Sequence, residues 1–245
     1  MAFGPDNKFS LRTAQMDGAT AKAVQIDEGL RAYMLRIYNY MASGLALTGI
    51  IAMATAQSES MMQIIFGGGA LMWIVMLSPL GFVLALSFGI NKMKASTAQA
   101  VFWGFAAVMG LSMASIFAIY TGTSIARVFF ITAGTFAGMS LYGYTTKRDL
   151  TGLGSFLFMG LIGIILASIV NMFLQSSAMH FVISVIGVLV FVGLTAYDTQ
   201  KIKSMYAESD GSETASKKAI MGALTLYLDF INLFMMLLRL FGDRR

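Results

Sequence analysis

The chain has 245 residues, of which 57% are hydrophobic and 12% charged, against the roughly 25% charged content of soluble domains. That much apolar material is too long to fold as one buried core, and several runs reach the roughly 18 to 25 residues that cross a bilayer as a helix. The net charge of +5 comes from Lys and Arg scattered beside the apolar runs rather than clustered as a nucleic-acid surface would be, so no nucleic-acid partner is expected. With no cysteine, disulfides, thiolate nucleophiles and cysteine-ligated metals are excluded. No dyad alternation marks the strands of a membrane barrel.

In chain order, residues 1–33 are polar and mixed in charge, without a short apolar core and small-residue cleavage site, and read as a retained polar tail. Seven spans are predicted over residues 37–56, 64–88, 98–120, 128–144, 153–174, 179–197 and 219–238. Short polar breaks separate them. The expected fold is all-α, a polytopic membrane protein whose seven helices form one compact bundle over residues 34–245.

Lys8, Arg12, Lys22 and Arg31 precede the first span, Lys92 and Lys94 follow the second, Lys147 and Arg148 the fourth, and Lys201, Lys203, Lys217 and Lys218 the sixth. All lie on one side of a seven-span arrangement, which makes that side, and the N-terminus, cytoplasmic. Arg239, Arg244 and Arg245 then fall outside; a last segment that re-enters and returns would instead keep them in the cytoplasm. Within the spans, Pro79 is expected to free a backbone carbonyl one turn earlier. Gly134 and Gly138 have the GxxxG spacing and are expected to serve close packing within the chain, with a dimer seam as the other reading.

The inventory for catalysis is thin. His180 is the single histidine, and no helical zinc motif, phosphate loop or dinucleotide fingerprint is present, so the chain is not expected to be an enzyme or to hold a resident cofactor. Asp229 is different: it sits in Leu226-Tyr227-Leu228-Asp229-Phe230-Ile231, and an ionisable group in such a run is a functional candidate by default. Thr225 at i−4 and Asn232 at i+3 share its helical face. Asp198 ends the preceding span, with Thr195 one turn earlier, and Lys201 at i+3 as a surface partner in the plainer reading. The two spans run antiparallel, so the acids can meet. Two carboxylates in a low-dielectric site would share one proton, and when deprotonated they would offer hard oxygen ligands to Ca²⁺.

The segments Leu194-Thr195-Ala196-Tyr197-Asp198-Thr199-Gln200-Lys201-Ile202 and Leu226-Tyr227-Leu228-Asp229-Phe230-Ile231-Asn232-Leu233-Phe234 closely resemble signatures of the Bax inhibitor 1 family. Ser78-Pro79-Leu80 resembles the second span of its bacterial YccA-like branch. The resemblance implies a seven-helix fold with a central, hairpin-like last helix, in a bacterial cytoplasmic membrane. It also implies a pH-dependent Ca²⁺ leak gated by Asp198 and Asp229 as a di-aspartyl sensor. The family's closing latch is an arginine near the cytoplasmic end of the second span; this chain has Asn91-Lys92-Met93-Lys94 there, so Lys92 and Lys94 are the latch candidates. Lysine brings the charge without the planar bidentate fork. Bacterial relatives are associated with a membrane AAA protease, which makes a regulator of proteolysis or stress response the alternative function, with the N-terminal tail as contact. Cation/proton exchange is a third reading.

Overall fold

The computed structural model describes residues 7–245, with side chains from Asp27 onward. The polar N-terminal segment expected to contact a partner therefore lies largely outside the residues whose side chains are described. The described residues form nine helices: α1 (Asn7–Gln57), α2 (Glu59–Phe66), α3 (Ala70–Gly89), α4 (Ala95–Met113), α5 (Ile116–Ile119), α6 (Gly122–Thr145), α7 (Thr151–Leu174), α8 (Ser177–Ser204) and α9 (Ser212–Phe241). Among the described residues there are seven segments long and apolar enough to cross a membrane, matching the seven predicted spans.

Boundaries differ where glycine intervenes. The second span was expected from residue 64, but the helix breaks at Gly67–Gly69 and the crossing begins at Ala70. Gly68 and Gly69 both have φ of 101°, a region closed to most L-residues. The residues before the break form the short α2, whose first turn is capped by the Ser58 hydroxyl accepting from the amide of Met61.

Helix α9 organises the bundle. It packs against α8, α1, α6, α4 and α3, and half of its thirty residues are buried. Thirty residues at about 1.5 Å each give an unbroken rod of roughly 45 Å, so the last helix is one straight crossing rather than a hairpin. Its exit side is decided by the chain end. The amide of Thr121 donates to Asp243, the amide of Arg245 to Ile119 (both 3.0 Å), and that of Asp243 to the Ser124 hydroxyl at 2.8 Å. Asp243 also pairs with Arg127 at 2.8 Å. The C-terminus is thus stitched to the α5–α6 junction, three crossings from the start of the first span, and the re-entrant arrangement is excluded.

Polar groups tie the apolar helices together. The Thr48 hydroxyl lies 2.6 Å from the Tyr227 hydroxyl and donates to the carbonyl of Ala106 at 2.8 Å, joining α1, α9 and α4. Tyr38, Ser140 and Thr199 form a second chain across α1, α6 and α8, with contacts of 2.6 and 2.9 Å. Away from water, such groups are costly unless paired.

The carbonyl freed by Pro79 is where the sequence places it. Pro79 has no N–H for Val75, four residues earlier, and that carbonyl accepts instead from Ser78 of the same helix at 2.9 Å and from Ser112 of α4 at 2.7 Å. Neighbouring hydroxyls are what make proline tolerable in a membrane helix. Because the two serines back each other up, Ser112→Ala alone is expected to cost only about 1 kcal/mol, whereas Ser78→Ala with Ser112→Ala orphans the carbonyl and costs about 1–3 kcal/mol more. Thermal denaturation in detergent reads the coupling; simple additivity of the two variants would refute the shared role.

Candidate functional site

The last turns of α8 are held from three directions. The Thr199 hydroxyl donates to Thr195 at 2.7 Å and meets Ser140 of α6. Gln200 clamps the α6–α7 connection, accepting from the amide of Leu150 at 2.9 Å and donating to the carbonyl of Arg148 at 2.7 Å. Lys203 donates to the carbonyl of Tyr144 at the end of α6 at 2.7 Å, its ammonium 4.8 Å from the Tyr144 ring centre. The polar residues flanking Asp198 therefore fix the helix that presents it.

Asp198 is half-buried, and Asp229, 5% exposed, faces it from α9. The two carboxyl groups are close enough to act on each other across the α8–α9 contact, while Oδ2 of Asp229 is buried with no hydrogen-bond partner among the described residues. A carboxylate only accepts, so a hydrogen bond between two carboxyl groups requires that one carry the proton. Lys201 is close enough to act on Asp198 electrostatically but forms no salt bridge with it among the described residues; its ammonium lies 5.8 Å from the Tyr197 ring centre.

Both acids line a cavity of about 1270 Å³. Helix α3 leans on α4 and α7 on α8, and the cavity lies between these two pairs, with α9 as its back wall. Thr225 and Asn232 line it beside Asp229, as their spacing predicts. Their hydrogens go to their own helix: the Thr225 hydroxyl to Met221 at 3.1 Å, the Asn232 amide to Leu228 at 2.8 Å.

Two expectations are corrected here. Thr195, expected to accompany Asp198, is fully buried away from the cavity, its hydroxyl donating to Phe191 at 2.7 Å. One turn of offset is enough to turn it away from the cavity. Lys92 and Lys94, the latch candidates, are exposed in the turn after α3, and neither lines the cavity. That turn is closed by its own backbone, the amide of Met93 donating to Gly89 at 3.0 Å, and it carries both lysines outward. The cations that do line the cavity are Lys201 and Arg239.

The profile of the family described as Inhibitor of apoptosis-promoting Bax1 matches residues 30–245. The chain belongs to this Bax inhibitor family. An uncharacterized protein of Rickettsia prowazekii, RP147, is 53% identical over 226 residues, 92% of this chain and 95% of that protein. The inner membrane protein YbhL of Escherichia coli is 50% identical over 224 residues, covering 91% and 96%, and an uncharacterized protein of Caulobacter vibrioides is 44% identical over 248 residues, covering 98% and 99%. The protein is thus a multi-pass membrane protein of the Bax inhibitor family, of bacterial kind, and the family match covers the bundle from residue 30 to its end.

The sequence marks Arg239 for topology and as the end of the second family signature, not as a site residue. Asp229, Asn232, Met236 and Arg239 follow one another by three, four and three residues, one continuous face of a helix, and all four line the cavity. Extending the polar stripe by two turns would have found it. The Thr48–Tyr227 pair had no comparable signal, since its members lie 179 residues apart.

Proposed function

We propose that this protein is a pH-sensitive calcium leak pathway of a bacterial cytoplasmic membrane, gated by the shared proton of Asp198 and Asp229. The observation that carries this reading is the meeting of the two carboxyl groups on the wall of a large cavity that reaches from Lys201, in the last turn of α8, to Arg239, in the last turn of α9. Two deprotonated acids there would supply hard oxygen ligands, with the Thr225 hydroxyl and the Asn232 amide oxygen nearby. Ca²⁺ takes six to eight oxygens, so an ion at this point keeps part of its water, which suits passage rather than retention. Protonation neutralises the ligands, and a change from one shared proton to none replaces a hydrogen bond across the α8–α9 contact with repulsion between like charges.

The N-terminus is assigned to the cytoplasm on the distribution of basic residues: Lys92, Lys94, Lys147, Arg148, Lys201 and Lys203 cluster at one end of the bundle. Arg127 at the other end is paired with Asp243. The test is calcium efflux from proteoliposomes as a function of pH. The wild type is expected to show a pH-dependent efflux above protein-free vesicles, and the double variant Asp198→Asn with Asp229→Asn a pH-independent one. Efflux equal to that of empty vesicles at every pH would refute the leak, and an unchanged pH profile in the double variant would refute the sensor.

A further inference from the structure

At the end of the bundle where α9 terminates, a second cavity of about 640 Å³ opens between the end of α7, the start of α8 and the last turn of α9. Arg239, Arg244 and His180 line it, with Asn171 and Gln175, and no carboxylate among the described residues does. Asp243, the nearest acid along the chain, is turned to Arg127, and neither Arg239 nor Arg244 forms a salt bridge among the described residues. Both guanidinium groups act electrostatically on His180, so their charge converges on one volume. Ser177, in the first turn of the 28-residue α8, lines the same cavity and adds the positive end of a helix dipole. Planar guanidinium groups in this arrangement suit a phosphate, which accepts paired hydrogen bonds from each.

The chamber does not stand alone. Ser168, Met172 and Arg239 line both it and the large cavity, so the cationic volume lies directly beside an apolar groove between α3 and α7. There Ile165, Ile169 and Met172 of α7 are 50 to 65% exposed. A cationic chamber beside an apolar groove at the membrane boundary has the shape of one amphiphile.

We propose that this is a binding site for a single anionic phospholipid, its phosphate held by Arg239 and Arg244 beside His180 and one acyl chain lying along Ile165, Ile169 and Met172. The adjacency of the two cavities selects a lipid over a soluble phosphate, for which the groove would have no use. The site stands on cavity geometry and charge alone and does not rest on calcium movement.

The full-length protein, purified in a neutral detergent, is titrated with dioleoylphosphatidylglycerol and the bound lipid is counted by native mass spectrometry. Dioleoylphosphatidylcholine and glycerol phosphate, the headgroup chemistry without chains, are the comparison arms. Phosphatidylglycerol is expected to bind as one retained molecule, more tightly than either comparison. Arg239→Gln and Arg244→Gln are each expected to weaken it by about tenfold or more, the usual effect of losing a charged hydrogen bond. Lys147→Gln, at the opposite end, is expected to leave it unchanged. The backbone bridge between Arg244 and Tyr120 survives substitution of the side chain, so Arg244→Gln remains informative even where Arg239→Gln misfolds. Equal retention of the lipid by the arginine variants and the wild type would overturn the phosphate site. Glycerol phosphate binding as tightly as the lipid would overturn the lipid assignment.

Discussion

Asp229→Asn is expected to flatten the pH dependence of calcium efflux while keeping the α8–α9 contact. The amide is nearly the size of the carboxyl, can donate to the Asp198 carboxylate without a shared proton, and does not titrate. Asp198→Asn also removes the shared proton, but the two variants should differ in stability. Asp198 is half-buried and open to the cavity, whereas Asp229 is 5% exposed and already has one oxygen without a partner. Leaving the acid at the deeper position strands it, at a cost of about 1–3 kcal/mol for an unsatisfied buried group. Asp229→Asn is therefore expected to melt higher than Asp198→Asn in detergent, with the gap widest at alkaline pH, where the remaining acid in each variant is charged. Identical melting temperatures at all pH values would show that burial does not distinguish the acids. A wild-type efflux profile in Asp229→Asn would remove Asp229 from the gate altogether.

What could be read from the amino-acid sequence divides along a physical line. Features that depend on one helix were legible: the spans by length and hydropathy, the cost of a carboxylate at Asp229, the face shared by Thr225, Asp229 and Asn232, and the carbonyl freed by Pro79. Features that depend on what a face meets were not. Thr195 lies one turn from Asp198, yet it is buried against a neighbouring helix, because a three-residue offset rotates a side chain by about 60° around the axis. Gly134 and Gly138 carry a spacing associated with close helix packing, but a side chain added at either would meet nothing within 4 Å; they face outward, and the expected packing within the chain is absent there. The lysines proposed as a latch follow the right span but leave with a turn that points away. One close approach between two helices near the acids involves a glycine that has no motif around it.

That glycine is Gly143, near the end of α6. A Cβ built on it would stand 2.9 Å from both the carbonyl carbon and the Cα of Ala196, and closer still to the carbonyl oxygen. These are backbone atoms of α8, two residues before Asp198, and unlike the end of a flexible side chain they cannot turn aside. Two effects compete in Gly143→Ala. Alanine favours a helix over glycine by about 1 kcal/mol, and overpacking a close contact costs about 1–3 kcal/mol. The second is expected to win, because α8 can retreat only by stretching the Ser140–Thr199 contact, the Gln200 clamp and the Lys203 bond to Tyr144 together. Gly143→Ala should therefore lower the melting temperature, and Gly143→Leu, with more volume to place, should lower it further. The displacement is transmitted to Asp198, so the efflux profile is expected to change in pH dependence as well as in size. Gly138→Ala on the same helix supplies the comparison: with open space at the position, only the propensity gain remains, and stability should hold or rise. A Gly143→Ala protein as stable as the wild type would show that α6 and α8 can separate freely, and the rigid presentation of Asp198 would fall with it.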